Sequence, residues 1–185
     1  MSKVNKTRYA LLGVLSLAPA SGYDIKKLCD FSISHFWNEN YAHIYPVLKE
    51  LEKEGMVIKA EEQAEGRPPK NVYSITGKGR EELEKWLLTA VEEGPKRNEL
   101  LLKMFFSTPA HFESIIERIG QEKEKHQRLI EEFGKIETEL KSNETTKDKE
   151  ALTLWLSIIS FGRYDSEARI KWCEETINTL KKQLK

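Results

Sequence analysis

Cysteine is nearly absent. Cys29 and Cys173 are the two among 185 residues, too few for the disulfide framework of a small secreted domain. Each falls in an apolar helical pattern, where a free thiol behaves as a small hydrophobe; a redox sensor is the other reading of either. Histidine is scarce and scattered. His35, His43, His111 and His126 show no ligand spacing such as H-x-x-x-H, so neither a metal site nor a cofactor is expected. No glycine-rich phosphate loop and no nucleophile-elbow sequence is present, which removes the usual marks of an enzyme. No apolar run reaches the ~20 residues needed to cross a membrane. Net charge is missing too, since 30 basic side chains balance 30 acidic ones.

What charge there is lies unevenly. Residues 1–80 carry 12 basic and 9 acidic side chains, and residues 81–185 carry 18 and 21. The N-terminal half is therefore the one suited to a polyanion. Its first residues imitate a secretory signal: Lys3, Lys6 and Arg8 precede YALLGVLSLAPA. A cysteine-poor remainder does not look secreted, and the following segment needs this one as a packing partner, so the chain is expected to be cytoplasmic.

The periodicity predicts a first helix over residues 4–17, apolar nearly all round and so buried on more than one side. APASG breaks it. Ser21-Gly22-Tyr23-Asp24 has the form of a capping box and opens a second helix to about Phe31, with Ile25, Leu28 and Cys29 inward and Lys26 and Lys27 outward. A third apolar stripe follows at Ile44, Val47, Leu48 and Leu51, ending at Gly55. Pro46 lies inside that pattern. Proline is cheap only in the first helical turn, whose N–H groups have no intrahelical partner, so the helix is expected to begin near Ala42 or His43, capped by Asn38 or Asn40. Tyr41, His43 and Tyr45 then stand at its leading end, with Lys49 one turn on. Tyr45, beside a proline and an apolar face, reads equally well as a packing residue.

The period then changes. Val57 to Gln63 and Val72 to Ile75 read as two strands of a hairpin, joined by the stiff basic turn Glu65-Gly66-Arg67-Pro68-Pro69-Lys70. Thr76 caps a fourth helix whose apolar face is Leu83, Trp86, Leu87 and Val91. Gly94-Pro95 marks a boundary, giving two domains, 1–93 and 94–185. Three helices followed by a hairpin with a basic tip make a winged helix-turn-helix, a mostly α fold with a small β wing. Its third helix is the one that enters the major groove.

The second domain reads as helical throughout. Beyond a short helix near Glu99–Phe106, Thr108-Pro109 opens a long one to about Leu140, with Phe112, Ile119, His126, Phe133 and Leu140 seven apart. His126 reads as a core histidine. The last helix, Lys149 to Leu184, carries a stripe from Leu152 to Leu184, apolar except at Arg163 and Ser166. A second face bears Trp155, Ile158, Phe161 and Trp172. Two long helices carry such stripes and too little chain remains to cover both, so the stripe on residues 152–184 is expected to pack against another copy in a homodimer, with the first helix helping.

Three segments, LLGVLSLAPASGYDIKKL, IYPVLKELEKEGMV and EGRPPKNVYSITGKGREELEKWL, together with Trp37, resemble the PadR family of transcriptional regulators in order and spacing across residues 9–88. The remainder resembles, in layout, the C-terminal dimerisation domain of the longer PadR-like subgroup. The resemblance implies a homodimeric repressor of a double-stranded DNA operator, released by phenolic acids or hydrophobic effectors. It assigns Tyr41, His43, Tyr45 and Lys49 to the recognition helix, Lys26 and Lys27 to the phosphate side of the preceding helix, and Arg67 and Lys70 to the wing. The plainer reading makes Arg67 and Lys70 surface charges. For an effector, the aromatic-rich last helix offers Trp155 and Trp172 beside Arg163, whose guanidinium would meet a carboxylate; a glutamate of a neighbouring helix is its plainer partner, and core or dimer packing is the plainer use of the aromatics. A winged helix that binds only protein is the alternative function.

Overall fold

The computed structural model describes residues 5–37, 41–63, 69–92, 97–142 and 149–184, with the backbone alone at Phe31 and Tyr41. The chain divides into two compact units, Met1–Glu93 and Gly94–Lys185. The expected boundary pair, Gly94-Pro95, and the cap candidates Asn38 and Asn40 lie outside the described residues.

In the first unit, helix α1 (Thr7–Leu17) buries Tyr9, Leu11, Leu12, Val14 and Leu15. It packs on α2 (Gly22–Ser32), α3 (Tyr41–Lys53) and α4 (Gly77–Leu87). From α2 and α3, Ile25, Ile44, Leu48 and Leu51 are fully buried against it. Tyr9 stacks on Trp86 at 4.6 Å between ring centroids, and its hydroxyl donates to Glu82 Oε1 at 3.1 Å. Arg8 Nη2 reaches Glu54 Oε2 at 2.5 Å, tying α1 to the end of α3. The sheet has three strands, not two. β2 (Val57–Glu62) and β3 (Lys70–Ile75) pair antiparallel from Val57 opposite Ile75 to Glu62 opposite Lys70. A two-residue β1 (Ala20–Ser21) adds to β3, where the sequence suggested only a break.

Two further expectations are corrected. Helix α3 begins at Tyr41, so Pro46 is its sixth residue and lies in the second turn. The proline costs up to about 3 kcal/mol there, offset by four apolar side chains buried at roughly 1.5–3 kcal/mol each. Helix α4 stops at Leu87, because the Leu88 N–H folds back onto the Lys85 and Trp86 carbonyls and Thr89 Oγ1 donates to the latter. Leu87 and Val91 are left exposed, so only Leu83 and Trp86 pack on the core.

The second unit holds α5 (Glu99–Phe105), a 3₁₀ turn (Pro109–His111), α6 (Phe112–Ser142) and α7 (Lys149–Gln183). Pairs such as Lys123–Glu174, His126–Ser166 and Glu137–Arg163 run in opposite order along α6 and α7, so the two helices are antiparallel. Ile159, Ser166 and Cys173 on the Leu152–Leu184 stripe are buried. That stripe was expected to await a second copy; it is instead taken up within the chain by α6. Ser166 lies on it because His126, 6% exposed, needs a partner: its Nδ1 is 3.1 Å from Ser166 Oγ and its Nε2 3.2 Å from Glu122 Oε1. Gly162 permits close approach, since a methyl group there would lie 2.6 Å from the Phe133 ring. Of the second face of α7, Trp155, Ile158 and Phe161 are exposed, with Leu154 exposed beside them, whereas Trp172 packs on the core. Among the described residues no helix is long and apolar enough to cross a membrane.

Candidate nucleic-acid interface

The interface is built from the start of α2, the exposed face of α3 and the β2–β3 hairpin. The capping box predicted for α2 forms: Ser21 Oγ accepts from the Asp24 N–H at 3.2 Å, and Asp24 Oδ2 accepts from the Ser21 N–H at 3.3 Å and its hydroxyl at 2.6 Å. The Ser21 hydroxyl holds the Asp24 carboxyl below the ordinary range, and the Lys70 and Lys27 charges add to that. Lys70 Nζ stands 3.8 Å from Asp24 Oδ2 and 3.3 Å from Glu62 Oε2. One lysine at the start of β3 therefore links the wing to the cap of α2.

Helix α3 divides cleanly. Ile44, Val47, Leu48 and Leu51 are buried, while His43, Tyr45 and Lys49 are exposed. Tyr45 packs on α2 and stays partly exposed. Its ring lies against Gly22, where a methyl group would sit 2.7 Å from Cε1, yet the residue is 45% exposed. Gly22 thus permits the close approach of the Tyr45 ring and hydroxyl to α2, the hydroxyl lying 3.0 Å from where a methyl group would sit. The helix ends in a Schellman motif: the Met56 N–H donates to the Leu51 carbonyl at 2.9 Å and the Gly55 N–H to Glu52 at 3.0 Å, with Gly55 at φ 72°. That φ suits glycine, and the motif turns the chain from α3 into the wing. Thr76, capping α4, clamps the other end of the hairpin by donating to the Gly55 carbonyl at 2.8 Å.

Of the residues predicted from sequence, His43, Tyr45 and Lys49 share the open surface of α3, and Lys27 is exposed on α2. Lys26 is not the outward cation expected: it pairs with Asp30 one turn on, and its side chain is 16% exposed. Arg67 and the Tyr41 side chain lie outside the described residues. Tyr23 was missed as an interface candidate. It is 63% exposed in the first turn of α2; the signal was an aromatic at a position off the inward set Ile25, Leu28 and Cys29.

The effector candidates on α7 do not converge within one chain. Trp172 packs beside Ile115, Ile119 and Cys173, whereas Trp155 is 37% exposed, and seventeen helical residues separate them by about 25 Å. Arg163 has the plainer partner, with Nη1 3.4 Å from Glu137 Oε2 of α6. Burial pushes the Cys173 thiol up, which suits an inert core residue. Among the described residues no group of three metal-ligating side chains occurs.

Residues 11–85 match the model of the transcriptional regulator PadR-like family, and residues 96–181 match the model called virulence activator alpha C-term. The negative transcriptional regulator PadR of Bacillus subtilis (strain 168) is 34% identical over 101 residues, 54% of this chain and 55% of that protein. The match thus spans about half the length of that curated relative. A crystal structure of B. subtilis PadR in complex with operator DNA superposes with a TM-score of 0.83 at 20% identity, covering 97% of this chain and 99% of that one. The same protein in complex with p-coumaric acid gives 0.71 at 19% identity, covering 98% and 99%. The Vibrio cholerae virulence activator AphA gives 0.73 at 26% identity, covering 95% and 98%.

Proposed function

We propose, from a chain whose residues 11–85 belong to the PadR-like family of transcriptional regulators, that this protein is a homodimeric, sequence-specific DNA-binding regulator acting as a repressor. The observation that carries the reading is the exposed face of α3, where His43, Tyr45 and Lys49 lie opposite the buried set Ile44, Val47, Leu48 and Leu51 on a helix that leads into the hairpin strand β2. Residues 1–93 serve DNA and residues 94–185 serve dimerisation. Helix α3 lies in the major groove, with His43, Tyr45 and Tyr41 toward base edges or phosphates. Lys27, Lys49, Lys70 and Arg67 supply the sequence-independent attraction to the backbone. Lys26, paired with Asp30, contributes less, and so does Lys70, whose ammonium already faces Asp24 and Glu62.

Repression rather than activation is supported by the negative regulator at 34% identity. Dimerisation is supported by the open apolar face of α7. Release by a flat, largely apolar effector is supported by the p-coumaric acid bound to a relative of the same fold and by the aromatic wealth of α7. A ligand carboxylate at Arg163 would compete with Glu137.

Selection of bound sequences from random DNA tests the function. The expected product is a two-fold symmetric motif with half-sites spaced by whole turns of the duplex, bound less tightly as salt rises. Failure to enrich any motif, with binding indifferent to salt, would leave the protein-only winged helix as the better reading.

A further inference from the structure

Helix α5 and the start of α6 flank an open cleft of about 440 Å³ within the second unit. The volume is that of a small-molecule site. Ile115 is buried and Leu100 half-buried, and both pack in the core of the unit; Leu102 and Phe106, both exposed, extend the apolar surface outward. The polar lining is basic or neutral: Arg118, Lys103, His111 and two serines, with no carboxylate among them. Lys103 pairs with Glu99. Arg118 has no ion pair within 4 Å among the described residues; its Nε–H reaches Ser114 Oγ only at 3.4 Å, and Glu99 feels its charge from further off. His111 Nδ1 accepts the Thr108 N–H at 3.0 Å, which leaves the proton of the neutral ring on Nε2, as a donor.

Apolar walls, a guanidinium without an ion pair and no acid among the described lining residues define a ligand with an apolar body and one negative end. We infer that this cleft binds a small acyl carboxylate, its head on Arg118 and its chain along Leu100, Ile115, Leu102 and Phe106. An acyl chain fits better than a phenolic acid. The walls are aliphatic apart from one phenyl ring, and no carboxylate is present to accept a phenol's proton.

Calorimetric titration of the full chain with sodium octanoate, kept below its micelle concentration and without DNA, tests the site separately from operator binding. Saturable binding is expected. Arg118→Ala should weaken it about tenfold, the loss of one charged hydrogen bond, and Arg118→Lys should recover part of the loss. Leu102→Ser should weaken it as well, and uncharged octanamide should bind far more weakly than octanoate. Arg118 is exposed, so the variants should melt at the parent temperature. No saturable binding, equal binding of octanamide, an unchanged affinity in Arg118→Ala, or a preference for p-coumarate over octanoate that Arg118→Ala removes would each overturn the assignment.

Discussion

Gly79 meets backbone, where most glycine contacts in this chain meet side chains. A methyl group there would lie 2.2 Å from the Met56 carbonyl oxygen, and that carbonyl is already held by the Thr76 N–H at 3.0 Å. Neither side can yield without opening the join between α4 and the wing. Gly79→Ala should therefore cost about 1–3 kcal/mol, the usual range for overpacking, read as a fall in urea midpoint with unchanged slope. An unaltered midpoint would mean that the join is looser than drawn. Asp24 gives a pH signature. Its carboxyl titrates lower in the folded chain than in the unfolded one, so between the two values the unfolded state binds more protons and stability rises with pH. Its contribution is complete above the unfolded value and is lost as pH falls through the folded one. The melting-temperature gap between the parent and Asp24→Asn should thus be widest near neutrality and close in the acid range. A gap that is constant with pH would assign the effect to packing.

Between elements, the tightest spot of the α2–α3 contact is the Tyr45 ring on Gly22. Gly22→Ala should push Tyr45 off its seat and weaken operator binding by about 1 kcal/mol, the worth of a hydrogen bond. Tyr45→Phe should do the same through the hydroxyl alone. Because both act on one contact, the double variant should lose little more than either; full additivity would separate them. On the exposed face of α3 the residues differ in kind. His43→Ala should alter preference among bases, by roughly 1–3 kcal/mol at one position if the contact is direct. Lys49→Ala should weaken all sequences alike and flatten the salt dependence by about one unit per subunit. Competition binding on variant operators distinguishes the two patterns.

For the whole molecule the decisive surface is the α7 face that α6 does not cover. Leu154, Ile158 and Phe161 recur at i, i+4 and i+7 and all are exposed, a stripe that a stable monomer would hide. Ile158→Glu should convert a dimer to a monomer in sedimentation. Operator affinity should fall about 100-fold or more as the second half-site ceases to be held in reach. A parent chain that sediments as a monomer at micromolar concentration would remove the dimer.

Much of this was legible in the residues, for reasons that are local. The Ser21–Asp24 cap, the Gly55 stop, the Thr76 cap and the hairpin each depend on side chains within a few positions of one another, so their chemistry is written in order along the chain. So is the apolar face of α3, because a 3.6-residue period needs no partner to be recognised. Other features depended on what each element meets. β1 is two residues long, and only the neighbouring β3 makes it a strand. The α7 stripe looked unpartnered until α6 was laid along it, and that moved the surface open to a second copy onto Leu154, Ile158 and Phe161. Lys26 and Lys27 are adjacent and alike in sequence; Asp30, one turn away, quiets the first. Arg163 looked ready for a ligand until Glu137 arrived from another helix. Sequence by itself determined the helices, the two hairpin strands and the apolar face of α3, because propensity and period act at short range. Only the tertiary structure decided which apolar face is spent inside the chain and which charge is already answered, because those depend on residues tens of positions away brought within a few ångströms.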